Sequence, residues 1–175
     1  MRKLKNKLGW FGIVVIGCVL TGCLLSGTFV INHKFTLTDM GDFYFYQVDI
    51  TNDQIWKDHS DKIDFIDAVG LELYITSTES AAVTFDAYVD DYSDVTFTPG
   101  SVPDDATVII QNMTVSPGKT FISYAKSLTL LKNLDVLKAL AKTGKFDFYA
   151  ETTGTAGTTF VIDSARVVIT LSAGY

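Results

Sequence analysis

The chain has 175 residues, 47% of them hydrophobic and 19% charged, which is enough for one domain with a real core. Its formal net charge is −6, but the sign is unevenly spread: four of the 14 basic residues precede Cys23, and all 20 acidic residues follow it. Ten basic residues against twenty acidic ones exclude a nucleic-acid binder and docking on anionic lipid through a basic patch.

Arg2, Lys3, Lys5 and Lys7 open the chain without an acidic residue, and Trp10 to Leu20 forms an almost purely apolar run of about 11 residues. Small residues follow, so the stretch reads as a secretory signal with a cleavage site. Leu20-Thr21-Gly22-Cys23 closes it and resembles the lipobox of bacterial lipoproteins. The resemblance implies that the Cys23 thiol carries a diacylglyceryl group, that the chain is cut before it, and that the new amine is acylated. Two or three acyl chains hold a protein on a membrane, at ~0.8 kcal/mol per buried CH₂. Val15-Ile16-Gly17-Cys18 fits a looser lipobox, but a cut there leaves a very short apolar run, so Cys23 is preferred. An uncleaved helix from Trp10 to Ile31 approaches the ~20 residues that span a bilayer. Thr21, Gly22, Ser26 and Gly27 interrupt it, and Asn32, His33 and Lys34 end it.

On either reading the basic start leaves the bulk of the chain outside the cytoplasm. Leu24 follows Cys23 where inner-membrane lipoproteins of Gram-negative cells typically carry Asp, which points to the outer membrane in such a cell. The expected division is a signal peptide over 1–22, a lipidated start and very short tether over 23–27, and one domain over 28–175. Both cysteines fall at or before position 23, so the domain has no disulfide and no thiol chemistry.

Period-2 alternation begins at once. Phe29, Ile31, His33, Phe35 and Leu37 share one face of a strand over Thr28 to Leu37, and a second strand follows over Phe43 to Ile50. Thr51 to Asp67 is the least strand-like part, with room for a short capped helix. Its Asp58, Asp61, Asp64 and Asp67 read as a solvated stripe along an irregular or helical segment. Strands resume over Val69 to Thr76, Ala82 to Val89, Val95 to Thr98, Thr107 to Val115 and Thr120 to Ala125. Pro99-Gly100 and Pro117-Gly118 mark turns between them. One helix stands out, with Asn133 as its cap, Leu134, Leu137, Leu140 and Ala141 as its stripe, and Gly144 as its stop. Lys145 to Glu151 and Thr158 to Ala173 complete the strands.

Many short alternating strands with one short helix predict an all-β, antiparallel immunoglobulin-like β-sandwich. From Val69 onward the order resembles LEA14/WHy-type β-sandwich domains, with a strand pair, then a Leu-rich helix, a Gly-Lys step and a closing strand pair over Leu134 to Tyr149. That resemblance implies a binding or structural role without catalytic residues.

Little in the sequence is chemically specific. No P-loop, dinucleotide fingerprint, zinc spacing or G-x-S-x-G occurs. His33 alternates with core positions and reads as a packed histidine, and His59 as a solvated one. Two candidate sites remain. Asp86, Asp90, Asp91 and Asp94 crowd oxygen ligands around one strand end, as an extracellular Ca²⁺ site does and as a plain acidic turn also does. Tyr44, Tyr46, Trp56, Tyr88 and Tyr92 supply either an exposed patch for glycan or protein, or half-buried sheet residues. The expected function is a non-catalytic envelope lipoprotein with a protein partner. The rivals are a glycan-binding or adhesion module and, from another class, a polysaccharide hydrolase built on a carboxylate pair.

Overall fold

A computed structural model describes residues 26–39, 43–93, 99–153 and 160–174. Cys18, Cys23, Asp94 and the strand expected over Val95 to Thr98 lie outside the described residues, as does most of the apolar N-terminal run.

Among the described residues the alternating sequences form nine strands: β1 Ser26–Phe35, β2 Thr38–Asp39, β3 Phe43–Asp49, β4 Ile63–Ser77, β5 Val83–Asp91, β6 Thr107–Val115, β7 Gly118–Ile122, β8 Lys145–Thr153 and β9 Phe160–Gly174. They make two antiparallel sheets, one ordered β1-β9-β4-β7 and the other β2-β3-β8-β5-β6. The expected all-β sandwich is therefore the fold. Its cause is visible along β9, which buries Ala165, Val167, Ile169, Leu171 and Ala173. The residues between them, from Ser164 to Ser172, turn the other way. The facing sheet contributes Val48, Phe85, Ala87, Val89, Phe146, Phe148 and Ala150 to the same core. Each fully buried Leu, Ile or Phe side chain contributes ~1.5–3 kcal/mol by leaving water.

Among the described residues three short helices accompany the strands, where the sequence singles out one and leaves room for a second between Thr51 and Asp67: α1 Gln54–His59, α2 Tyr124–Leu130 and α3 Leu134–Thr143. The third is the expected helix. Leu137, Leu140 and Ala141 are its buried stripe, and Gly144 ends it at φ +81°, which only glycine adopts without strain. Asn133 stands where a cap belongs but does not cap. Its Nδ2 donates instead to the Val108 carbonyl at 2.8 Å. The second helix replaces the end of the strand expected over Thr120 to Ala125, because Ser123 accepts from the Lys126 amide and starts a helix there.

These two helices do a job that a strand does elsewhere. β7 pairs with β4 only over Leu73 to Ser77, leaving the first part of that edge of β4 without a strand among the described residues. There the Ser127 hydroxyl accepts from the Leu71 amide at 2.9 Å, and Lys142 Nζ donates to the Asp64 carbonyl at 3.0 Å. Backbone groups at a sheet edge are thus paired by side chains. Gly70 makes the approach possible, since a Cβ there would fall 2.4 Å from the Tyr124 ring.

The acidic stripe is dismantled by the fold. Asp58 lies in α1, Asp61 in a 3-10 turn over Ser60–Lys62, and Asp64 and Asp67 in β4. That strand begins six residues earlier than the alternation predicts, because register shifts between Ile63 and Phe65 and between Ile66 and Ala68 break the period of two.

Candidate functional site

The outer face of the five-stranded sheet carries three of the sequence candidates. Asp86, Tyr88 and Asp90 alternate along β5, so they share one face, while Asp91 points the other way. Asp86 and Asp90 are four residues apart on an extended strand, roughly 13 Å, which is too far to share an ion. Asp86 is buried and accepts from the Asn112 amide, at the point where Asn112 takes φ +53° and the β5–β6 register shifts. Its carboxylate holds a bulge. Among the described residues no three carboxylate, histidine or cysteine side chains gather as metal ligands.

Asp90 sits instead opposite Asp147 of β8. Burial raises its pKa, and Asp105, Asp91 and Asp147 push the same way against a hydrogen bond from the Asp91 amide. Asp147 is fully buried on this outer face. It accepts from the Ser93 amide at 3.2 Å, from the Ser93 hydroxyl, and from Gln47 Nε2 at 3.3 Å. Beside it Phe43, Phe45 and Tyr149 form a second small core, with Tyr88 and Val102 packed against it. Tyr88 donates to Glu151 at 2.8 Å. Ser93 and Val102 therefore lie on this face and help to cover it.

The five predicted aromatics do not meet on one surface. Tyr44 and Tyr46 turn inward and pack on the core, Tyr46 stacking on Phe35 at 4.7 Å. Trp56 is buried against Gly144, where a Cβ would come within 2.6 Å of its ring. Tyr88 belongs to the covered outer face. Tyr92 lies under Lys145, whose ammonium is 5.0 Å from the ring centre and 2.9 Å from Asp49. Burial works against the charge on Asp49, but hydrogen bonds from Thr51 and Lys145 hold its carboxyl below the usual range. His33 is the packed histidine expected, tilted against Tyr46, and burial lowers its pKa despite Asp49 and Asp53. His59 is not simply solvated; its ring stacks on Phe29 at 3.9 Å.

The outer face of the four-stranded sheet differs. Tyr74 of β4 and Phe121 of β7 are direct cross-strand partners and stack at 4.5 Å with 26° between their planes. They remain 47% and 51% exposed. Two open grooves flank Tyr74. One, of about 380 Å³, is lined by Thr76, Lys119, Phe121, Asp163 and Ser164. The other, of about 300 Å³, is lined by Lys34, Glu72, Ser164 and Arg166. Arg166 pairs with Glu72 at 2.9 Å, and the Thr76 hydroxyl donates to Asp163 at 2.6 Å.

Neither aromatic is among the sequence candidates, although a signal exists. Tyr74 falls in the outward phase of Leu71, Leu73 and Ile75, where polar residues are expected. Phe121 holds the same phase beside Ile122. Only the pairing of β4 with β7 brings them together.

No known protein family has a model that matches this chain, and none of the curated proteins matches it. Among solved structures, a chain from Desmodium yellow mottle tymovirus is similar at 16% identity over 86% of this chain and 89% of that one. Its TM-score is 0.31, a likeness too slight to carry an argument.

Proposed function

We propose that this protein is a non-catalytic envelope lipoprotein, held on the outer side of a membrane through Cys23, whose sandwich presents the Tyr74–Phe121 face to a binding partner. The observation that carries the reading is the placement of that face relative to the N-terminus. β1 begins at Ser26, three residues after Cys23, so the tether reaches at most ~10 Å. Ser26 pairs with Gly174, and Ile63 with Ala173, at one end of the four-stranded sheet. Tyr74 pairs with Ser164, nine residues along β9 from Ala173, so it lies roughly 30 Å toward the opposite end. A lipid on Cys23 holds one end of the sheet at the bilayer and leaves the exposed aromatic pair facing the envelope. Two large apolar rings kept in water on a sheet surface are a recognised mark of a contact site. In a Gram-negative cell, Leu24 assigns the protein to the outer membrane.

The test is metabolic labelling with an alkyne fatty acid, alongside a photo-crosslinking residue at position 121. Cys23→Ala is expected to abolish the label and release the protein from the membrane fraction. Label that persists in the variant, or a photo-crosslink no more frequent at 121 than at a covered position such as 45, overturns the reading.

A further inference from the structure

We infer that the outer face of the four-stranded sheet binds an acidic oligosaccharide, a sugar chain bearing carboxylates as uronates do. The inference rests on the module reading above and names what the exposed face takes.

Three observations converge on that ligand. The first is shape. Both grooves include Tyr74 and Ser164, so they adjoin at the aromatic ridge and together make an open trough. An open trough suits a chain that passes through better than a compact small molecule, whose pockets enclose most of its surface.

The second is the lining. An apolar ring face beside hydroxyls and charged side chains matches a sugar, which has a C–H face and a rim of hydroxyls. Here Tyr74 lies directly across from Ser164, with Thr76 two residues further along β4 and bonded to Asp163.

The third is charge. The domain after Cys23 carries twice as many acidic as basic residues, yet this trough holds Lys34, Lys119 and Arg166 against Glu72 and Asp163. Both carboxylates already have partners, Arg166 and Thr76. Lys34 and Lys119 make no ion pair among the described residues. Lys34 lies in the same cross-strand row as Arg166 and Glu72, while Lys119 lies opposite Thr76, four residues further along β4. Two unpaired ammoniums thus bracket the ring ridge diagonally, about 13 Å apart along the strands and about 14 Å across them from β1 to β7, roughly 19 Å in all. A chain with a carboxylate on every sugar can meet both while a central sugar lies against the ring. A neutral glycan leaves both cations unused. Anionic lipid is disfavoured because the trough lies toward the end of the sheet away from Ser26.

The experiment uses the full-length protein in detergent micelles and isothermal titration with tri-galacturonate, tri-mannuronate and the methyl ester of tri-galacturonate. At least one of the two acids is expected to bind saturably, and the neutral ester at least about tenfold more weakly, as removal of one ammonium–carboxylate ion pair implies. Raising the salt from about 50 to about 300 mM is expected to weaken the acid several-fold. Phe121→Ala and Lys119→Gln should each reduce affinity about five- to tenfold, while Tyr88→Phe, on the covered face, should leave it unchanged. An ester that binds as well as the acid, an unaltered affinity in both Phe121→Ala and Lys119→Gln, or no saturable binding of either acid overturns the inference. Failure here separates cleanly from failure of the module reading. Absent sugar binding with a Cys23-dependent crosslink at position 121 removes only the ligand, and sugar binding by a protein that carries no lipid removes only the anchor.

Discussion

The two sheets of this sandwich treat their outward aromatic residues in opposite ways. On the five-stranded sheet Tyr149 is 1% exposed and Asp147 is fully buried, because Val102 packs beside the one and Ser93 hydrogen-bonds the other. On the four-stranded sheet Tyr74 and Phe121 occupy equivalent outward positions and about half of each remains in water. An aromatic residue on the outside of a sheet is thus ambiguous until its cover is known. Covered, it belongs to a second core and contributes stability. Uncovered, it leaves apolar surface in water and adds little to stability.

Mutation can break this contrast, most strongly on the covered side. Tyr149→Ala is expected to destabilise the protein by about 3–5 kcal/mol in urea unfolding, as a fully buried aromatic does. A loss below about 1 kcal/mol would mean that the covering segment does not bury the face in solution. Asp147→Ala should cost about 2–4 kcal/mol, because the Ser93 and Gln47 donors lose a buried acceptor. Asp147→Asn should recover part of that loss, and no difference between the two variants would count against the hydrogen bonds as its source.

Alkaline pH probes the same face more gently. Burial, reinforced by neighbouring carboxylates, pushes the phenols of Tyr88 and Tyr149 well above their ordinary 10.0. Above pH 10 the unfolded chain gives up protons that the folded one retains, so stability falls as pH rises. Thermal melts from pH 9 to 11 should show that decline, and Tyr88→Phe combined with Tyr149→Phe should flatten it. The smallest effect belongs to the uncovered side. Phe121→Ala is expected to change stability by less than about 0.5 kcal/mol. A loss as large as that of Tyr149→Ala would erase the contrast and make Phe121 a structural residue.

Much of the architecture is legible in alternation alone. Thr107 to Val115 forms the strand expected, and β3 and β5 differ from expectation by only a residue or two at their ends. Where legibility fails, the cause is local and physical. Bulges near Phe65 and Ala68 put β4 out of phase, and Asp64 and Asp67 then read as the face of something irregular. Ser123 carries a cap without the acidic partner three residues on that makes such caps conspicuous, so α2 reads as the tail of a strand. The exposed aromatic pair is illegible for a different reason. Tyr74 and Phe121 each appear as one aromatic among many, and their meeting depends on strand pairing between residues far apart in the chain. The covered Tyr88 is the more conspicuous residue, because it lies in a run of aspartates.

The pairing of the first and last strands has a consequence for how the chain matures. β1 is an edge strand whose sole partner in the sheet order is β9, the final fifteen residues of the fold. β4 likewise takes β9 as its neighbour along nearly its whole length. Until β9 has been made, neither β1 nor the long central strand can find its mate, and the helices that seal β4 have only part of a wall to lean on. A fold closed by its last segment has high contact order and forms late. β1 and β4 thus stay without their shared mate while everything from β5 to β8 is made, and the sheet closes only once β9 has followed.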